Sequence, residues 1–215
     1  MSDFNTHKLI EHKQQLIKQL EVQVARLGEQ APAQIAIELD RLRTEVDHYL
    51  RTQRLLYRAG LELEPPPPAR GLIVIVSPRP KHQSLAEQSY YQAIDYHRAS
   101  LEQCWLLVSA TQTGASEAAQ ELAKYLKQRY ITHTIHTIQN AADLSETQQV
   151  AQSIFQSVEQ LGEIRPSQLV VDISGDNKIM SAALAISSAY KYPMQYIHYL
   201  KDAEVSVPVL LHPVA

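Results

Sequence analysis

The chain has one cysteine, Cys104. An intramolecular disulfide is therefore impossible, and a cysteine-rich zinc site is excluded. No run of apolar residues is long enough for a membrane-spanning helix. The N-terminal stretch is polar and charged, without the apolar centre of a signal peptide, so a cytoplasmic location and no membrane partner are expected. An excess of positive charge is also missing. The formal net charge is −3 and the isoelectric point about 6.3, which argues against a broad nucleic-acid binder and against duplex as a partner. A small nucleotide ligand, needing only a few local donors, stays open. The glycine-rich signatures GxGxxG and Walker A are absent. So is HExxH or any CxxC-type spacing, so no metal site and no cofactor are expected.

What is present suits a folded domain with a small appendage. The chain has 215 residues, 45% hydrophobic and 20% charged, close to the globular average. Pro65 to Pro68 form a stiff linker, read as residues 65–70. It separates an N-terminal segment, 1–64, from residues 71–215. In the first segment Leu9, Leu16, Leu20, Val24 and Leu27 recur at helical spacing, and Gly28 supplies a stop. Pro32 suits the start of a second helix, where Ile35, Leu39, Leu42, Val46 and Tyr49 repeat the pattern. Each helix has an apolar stripe that must be covered, and the short connection makes them an antiparallel hairpin. Basic and acidic residues are balanced there. A structural or dimerising hairpin and a docking module for another protein are both compatible.

The rest alternates strands and helices. Leu72–Val76 is a continuous apolar run, as in a strand buried on both faces. Residues 84–98 read as helix, 104–109 as strand, 115–128 as helix, and 131–138 as a strand nearer an edge. Residues 145–161 read as helix, 169–173 as strand, 178–190 as helix and 194–200 as strand, with 205–211 as a sixth strand. The expected class is α/β, a mostly parallel sheet with helices on both faces, preceded by the helical hairpin. Ligands on such sheets bind beyond the carboxyl ends of the strands, where strand order reverses.

The loop after the fourth strand is the first candidate site. It runs Asp172-Ile173-Ser174-Gly175-Asp176-Asn177-Lys178-Ile179-Met180-Ser181. A buried strand meets a short polar loop and then a helix start, whose backbone N–H groups favour an anion. Lys178 adds a full charge and Ser181 a hydroxyl, while Asp172 caps or orients the loop. The loop after the first strand, Ser77 to Ser84, carries Arg79, Lys81 and His82. The loop after the second, Ser109 to Ser116, is a run of small polar residues including Thr111 and Thr113. In a parallel sheet these three loops lie along one edge. The other histidines read as surface or core residues: His133 and His136, three apart on a strand, face opposite sides. Tyr90, Tyr91, Tyr190, Tyr192, Tyr196 and Tyr199 read as core or interface residues.

The segment Asp172 to Ser181 resembles the D-x-[ST]-G-G-T-K-x-M-[ST] signature of CARF domains, the CRISPR-associated Rossmann-fold sensors of type III systems. Ser77 and the length of the α/β part also fit. The resemblance covers residues 70–212, and the family's second glycine and threonine are Asp176 and Asn177 here. It implies a Rossmann-like fold. It also implies a homodimer, or a higher homo-oligomer, that binds cyclic oligoadenylate across a twofold axis. The ligand residues it implies are Ser77, Arg79, Thr111, Thr113, Ser174, Gly175, Asp176, Asn177, Lys178, Met180 and Ser181.

Some members cleave the ring without a metal by 2′-OH attack. In that case Lys178 would stabilise the oxyanion and Ser77 would position the ribose or phosphate. The hairpin, through His12-Lys13-Gln14-Gln15-Leu16 and Leu20 to Gly28, is similar to short helical modules fused to conflict-system proteins. It would link the sensor to a separate effector. Three readings follow: sensor and adaptor, stand-alone ring nuclease, or binder of another nucleotide or sugar phosphate.

Overall fold

A computed structural model of the protein describes residues 6–189 and 191–211. Tyr190, His212 and the side chain of His7 lie outside what it describes. The hairpin comes first. Helix α1 (Thr6–Leu27) ends at Gly28, and α2 (Ala33–Arg58) starts after Pro32. They run antiparallel, with Ile10 packed on Val46 and Tyr49. Lys13 pairs with the buried Glu45, which also faces the Arg41 Nε at 3.8 Å.

The elements that follow are β1 (Gly71–Val76), α3 (Ser89–His97), β2 (Gln103–Ser109), α4 (Ala115–Gln128), β3 (Thr132–Ile138) and α5 (Leu144–Leu161), then β4 (Leu169–Asp172), α6 (Lys178–Ser188), β5 (Met194–Leu200) and β6 (Val205–Leu211). The expected helix over 84–98 is broken at its start. A 3-10 turn, Leu85–Glu87, is closed by Ser84 N–H donating to the Glu87 carboxylate at 2.6 Å, and the α-helix begins only at Ser89.

The strands form one sheet in the order β3-β2-β1-β4-β5-β6. β1 to β5 are parallel, and β6 returns antiparallel on β5. This is a Rossmann-like α/β sheet. Strand alternation divides the core. Leu72, Val74 and Val76 face α3 and α4, against Tyr90, Ile94, Ala119 and Leu122. Ile73 and Ile75 face α5 and α6, against Ile154, Phe155, Met180 and Leu184. β1 is buried along its whole length because it has a strand on each side and helices on both faces. β3, at one edge, is mostly exposed and alternates Thr and His with Ile135.

The proline segment is packed into the fold. Pro65, Pro66 and Pro67 are buried. Tyr96 Oη donates to the Pro66 carbonyl at 3.0 Å, and Leu210 N–H donates to the Glu64 carbonyl at 2.7 Å. Leu56, Leu61 and Leu63 pack on Leu200, Val207 and Val209 of β5 and β6. His48 Nδ1 lies 3.2 Å from the Tyr96 carbonyl. Residues 61–69 thus form a strap that ties the hairpin to the β6 edge. Proline suits a buried strap because it has no N–H to leave unpaired.

Candidate functional site

Strand order reverses between β1 and β4, so the loops that follow them flank the crevice where α/β sheets hold ligands. Two contacts bring these loops together. Ser77, 3% exposed at the end of β1, accepts a hydrogen bond from Asp176 N–H at 3.2 Å. Gly175 lies flat on β1: a Cβ there would fall 2.6 Å from the Ile75 Cβ. No side chain fits in that space. Gly175 is required by close approach, since its φ is not in the left-handed region, and Gly71 is likewise crowded by Leu169 and Trp105. Four other glycines, Gly28, Gly60, Gly114 and Gly162, do take positive φ at helix ends and loops.

The β4 loop is held from below by a carboxylate. Asp172, 1% exposed, accepts from Ser174 N–H at 3.0 Å and from Ser174 Oγ at 3.1 Å. Ser174 Oγ in turn accepts from Ile197 N–H at 2.7 Å. Gln195 Nε2 donates to the second Asp172 oxygen at 3.1 Å. The Gln195 Oε1 meets His97 Nε2 at 2.8 Å, and Ala69 N–H donates to His97 Nδ1 at 3.2 Å.

This chain of bonds has one consistent polarity. The Ala69 amide can only donate, so His97 carries its proton on Nε2. Gln195 must then present its oxygen to His97 and its amide nitrogen to Asp172. A carboxylate, which only accepts, closes the series. Burial lowers the His97 imidazole to about 4 against the raising effect of Gln195, so it stays neutral. Burial also raises the Asp172 carboxyl to about 6, although the bonds from Ser174 and Gln195 favour its charged form.

The expected anion cradle is narrower than the helix start alone suggests. Asn177 caps α6, its Oδ1 accepting from Ile179 N–H and Met180 N–H at 3.1 Å each. Its carbonyl takes Ser181 N–H, and Ser181 Oγ donates to the Gly175 carbonyl at 3.1 Å. Asp176 N–H is committed to Ser77. Among the described residues, Gly175, Asn177 and Lys178 N–H have no protein acceptor. The Lys178 side chain is exposed at the head of α6 and forms no ion pair among the described residues.

The other expected residues separate into two groups. Arg79 turns to α4, 3.1 Å from Glu121. Met180 is fully buried beneath α6, its side chain in the core and away from the crevice. Thr111 Oγ1 lies 2.9 Å from Ser109 Oγ, and Thr113 is exposed. The β2 loop does reach the β1 loop, since the Cβ position at Gly114 is 3.7 Å from Pro78 Cβ. His82 and Lys81 are exposed in the β1 loop. The crevice therefore gathers Ser77, Ser174, Gly175, Asp176, Asn177 and Lys178. Among the described residues, no cluster of His, Cys, Asp and Glu could hold a metal ion.

Sequence reasoning missed the support beneath the loop. His97 falls on the inward face of α3, at helical spacing from Tyr90, Ala93 and Ile94. Gln195 is a buried polar residue beside the buried Met194 of β5, a strand whose middle is half-buried. A polar residue on an apolar register was the available signal in both cases. Neither a family model nor a curated protein matches the chain.

Proposed function

We propose that the protein is a sensor of cyclic oligoadenylate. Its crevice between β1 and β4 binds the ligand's phosphates, and its N-terminal helices relay the event to a separate effector. The observation that carries this reading is the loop at the switch point. Gly175 presses it onto β1, and three N–H groups and the Lys178 ammonium are left for an anion. The resemblance of Asp172 to Ser181 to the CARF signature supplies the ligand class. A ring of repeated phosphates suits two such loops related by a twofold axis. An apolar stripe on α6 supports self-association. Ile179 is 39% and Ile186 59% exposed, two turns apart, on the helix that begins with Lys178.

Ring cleavage is the second reading, and Lys178 is what favours it. A free ammonium beside the phosphate could stabilise the charge that develops when the ribose 2′-OH attacks the adjacent phosphorus. Ser77 is less available for that chemistry, because its oxygen already accepts the Asp176 amide. The experiment is calorimetric titration with cyclic tri-, tetra- and hexa-adenylate, followed by mass spectrometry of the same mixtures. Binding with an intact ring is the expected result. Linear or cyclic-phosphate products would make the protein a ring nuclease, and no binding of any ring size would end the reading. Lys178→Ala should weaken binding about tenfold, the size of a lost charge-assisted hydrogen bond.

A further inference from the structure

The hydrogen bonds beneath the β4 loop run on to the strap. Ala69, the strap's last residue, is buried and donates its N–H to His97 Nδ1 at 3.2 Å. His97 Nε2 lies 2.8 Å from Gln195 Oε1, and Gln195 Nε2 donates to Asp172 at 3.1 Å. Asp172 holds Ser174 by both its amide and its hydroxyl. His97, Gln195 and Asp172 are all buried, so a lost partner is not replaced by solvent. The hairpin meets the same point. Tyr96, next to His97, has His48 of α2 at its carbonyl, 3.2 Å away, and donates its hydroxyl to the Pro66 carbonyl of the strap at 3.0 Å. The end of α3 thus joins hairpin, strap and crevice.

The strap also sets the direction of the series. The Ala69 amide can only donate, which fixes the His97 tautomer and, through it, the Gln195 amide. With the strap released, His97 can carry its proton on either nitrogen. Gln195 is then free to turn over, and its oxygen would face the Asp172 carboxylate, acceptor against acceptor. The Gln195 amide has two discrete orientations, and the docked strap admits one of them. We propose that strap docking and the shape of the β4 loop are coupled through this chain, with His97 and Gln195 as positioning residues. They hold Ser174, and the loop N–H groups that follow it, in the form that receives an anion only while the strap is docked. By reciprocity, an anion in the crevice tightens the strap and the hairpin it carries. The inference rests on the reading of the crevice as the ligand site, and it gives the relay to the N-terminal helices its route.

The test is amide hydrogen exchange of the full chain, with a change at one end read at the other. Ser174→Ala should quicken exchange of the Ala69 N–H by about threefold or more, beyond any change at Leu106 in β2. Tyr96→Phe keeps the ring and removes only the bond to Pro66. It should quicken the Ser174 and Ile197 amides by a similar factor. Gln195→Met, similar in length but without either hydrogen bond, should abolish both far-end effects. Far ends that do not respond, or that respond equally in the Gln195→Met background, would overturn the proposal. If Gln195→Met does not fold, the two end variants decide it alone. A second arm adds inorganic pyrophosphate or cyclic tri-, tetra- or hexa-adenylate. A bound probe should slow exchange at Ala69 in the parent protein and not in Gln195→Met. A probe that binds and leaves Ala69 unchanged overturns the coupling while the ligand reading stands. If no probe binds, the ligand reading falls, and the ligand-free arm alone judges the coupling.

Discussion

The hairpin and the α/β part begin from the same sequence signal and end in different states. In the α/β part, most apolar residues at strand and helix spacing are enclosed, with Ile135, Ile179 and Ile186 as exceptions. Leu72, Val74, Leu106, Leu122 and Leu126 are all at 0% exposure. In the hairpin, the stripe Leu9, Leu16, Leu20 and Val24 is only half-buried, and Val22 and Leu27 are 50% and 44% exposed. Among the described residues, α1 packs mainly on α2. An apolar stripe therefore reports that a face needs covering. It does not report that the same chain covers it.

Substitutions should separate the two regions. Leu106→Ala, in the centre of β2, should cost about 3–5 kcal/mol in urea unfolding, since the surroundings cannot collapse into the space. Ile10→Ala in the hairpin should cost about 2 kcal/mol or less. Amide hydrogen exchange of β1, β2 and β4 should remain as slow as in the parent protein. Equal losses, or a loss of protection throughout the sheet, would mean that the two regions unfold as one.

The next largest effect is expected at the contact between loop and strand. Gly175→Ala places a methyl group on Ile75 and should cost about 2–3 kcal/mol, as overpacking does. A smaller one is expected at Gln195→Leu, about 2 kcal/mol. It leaves the His97 Nε2–H buried without a partner and removes one of the two donors to an Asp172 oxygen, which keeps the Ser174 hydroxyl. Its hydrogen exchange should quicken at Ser174 and Ile197, the amides tied to that network.

The pH dependence follows from the same pair. His97 is held below its ordinary value, so its contribution to stability is complete above about 6.5. It is lost as pH falls through about 4. Asp172 is held above its ordinary value, so its contribution is complete below about 3.9. It is lost as pH rises through about 6. The two opposing slopes overlap in that window. His97→Gln should leave only the carboxylate's, so that the variant gains stability relative to the parent protein as pH is lowered from 6.5 to 4. A constant difference between the two across that range would count against a buried, neutral His97. The smallest effect is expected where the hairpin is uncovered. Val22→Ser and Leu27→Ser should change stability by less than about 0.5 kcal/mol. Only a change in self-association or partner binding would reveal them.

The order and type of nearly every element were legible, because buried strands here are uninterrupted apolar runs and the helices keep strict spacing. The break before α3 was hidden: Ser84 and Glu87 look like an ordinary helix start, and only geometry shows that they close a separate turn. The Pro65–Pro68 run reads as a spacer from composition. Its burial depends on Tyr96 and Leu210, which are distant in sequence. At the site, Asp172 was legible as an orienting residue, while Gly175 read only as a ligand residue and the reason for the glycine lies on β1 at Ile75. Asn177 read as a ligand contact, and its role as helix cap withdraws two of the amides that a ligand would have used. Tyr90 read as core, which its ring is. That its hydroxyl lacks a hydrogen-bond partner among the described residues is a three-dimensional fact with no mark in the sequence.

The two margins of the sheet are unlike. Along β6, Pro208 offers no donor and Leu210 N–H is already taken by Glu64. Along β3, no strand pairs on the outer side among the described residues. Edge-to-edge addition is therefore hindered along β6 and open along β3. Two copies joined along β3 would each present the β6 margin outward, where the strap and Pro208 work against adding a further strand and so against fibre growth.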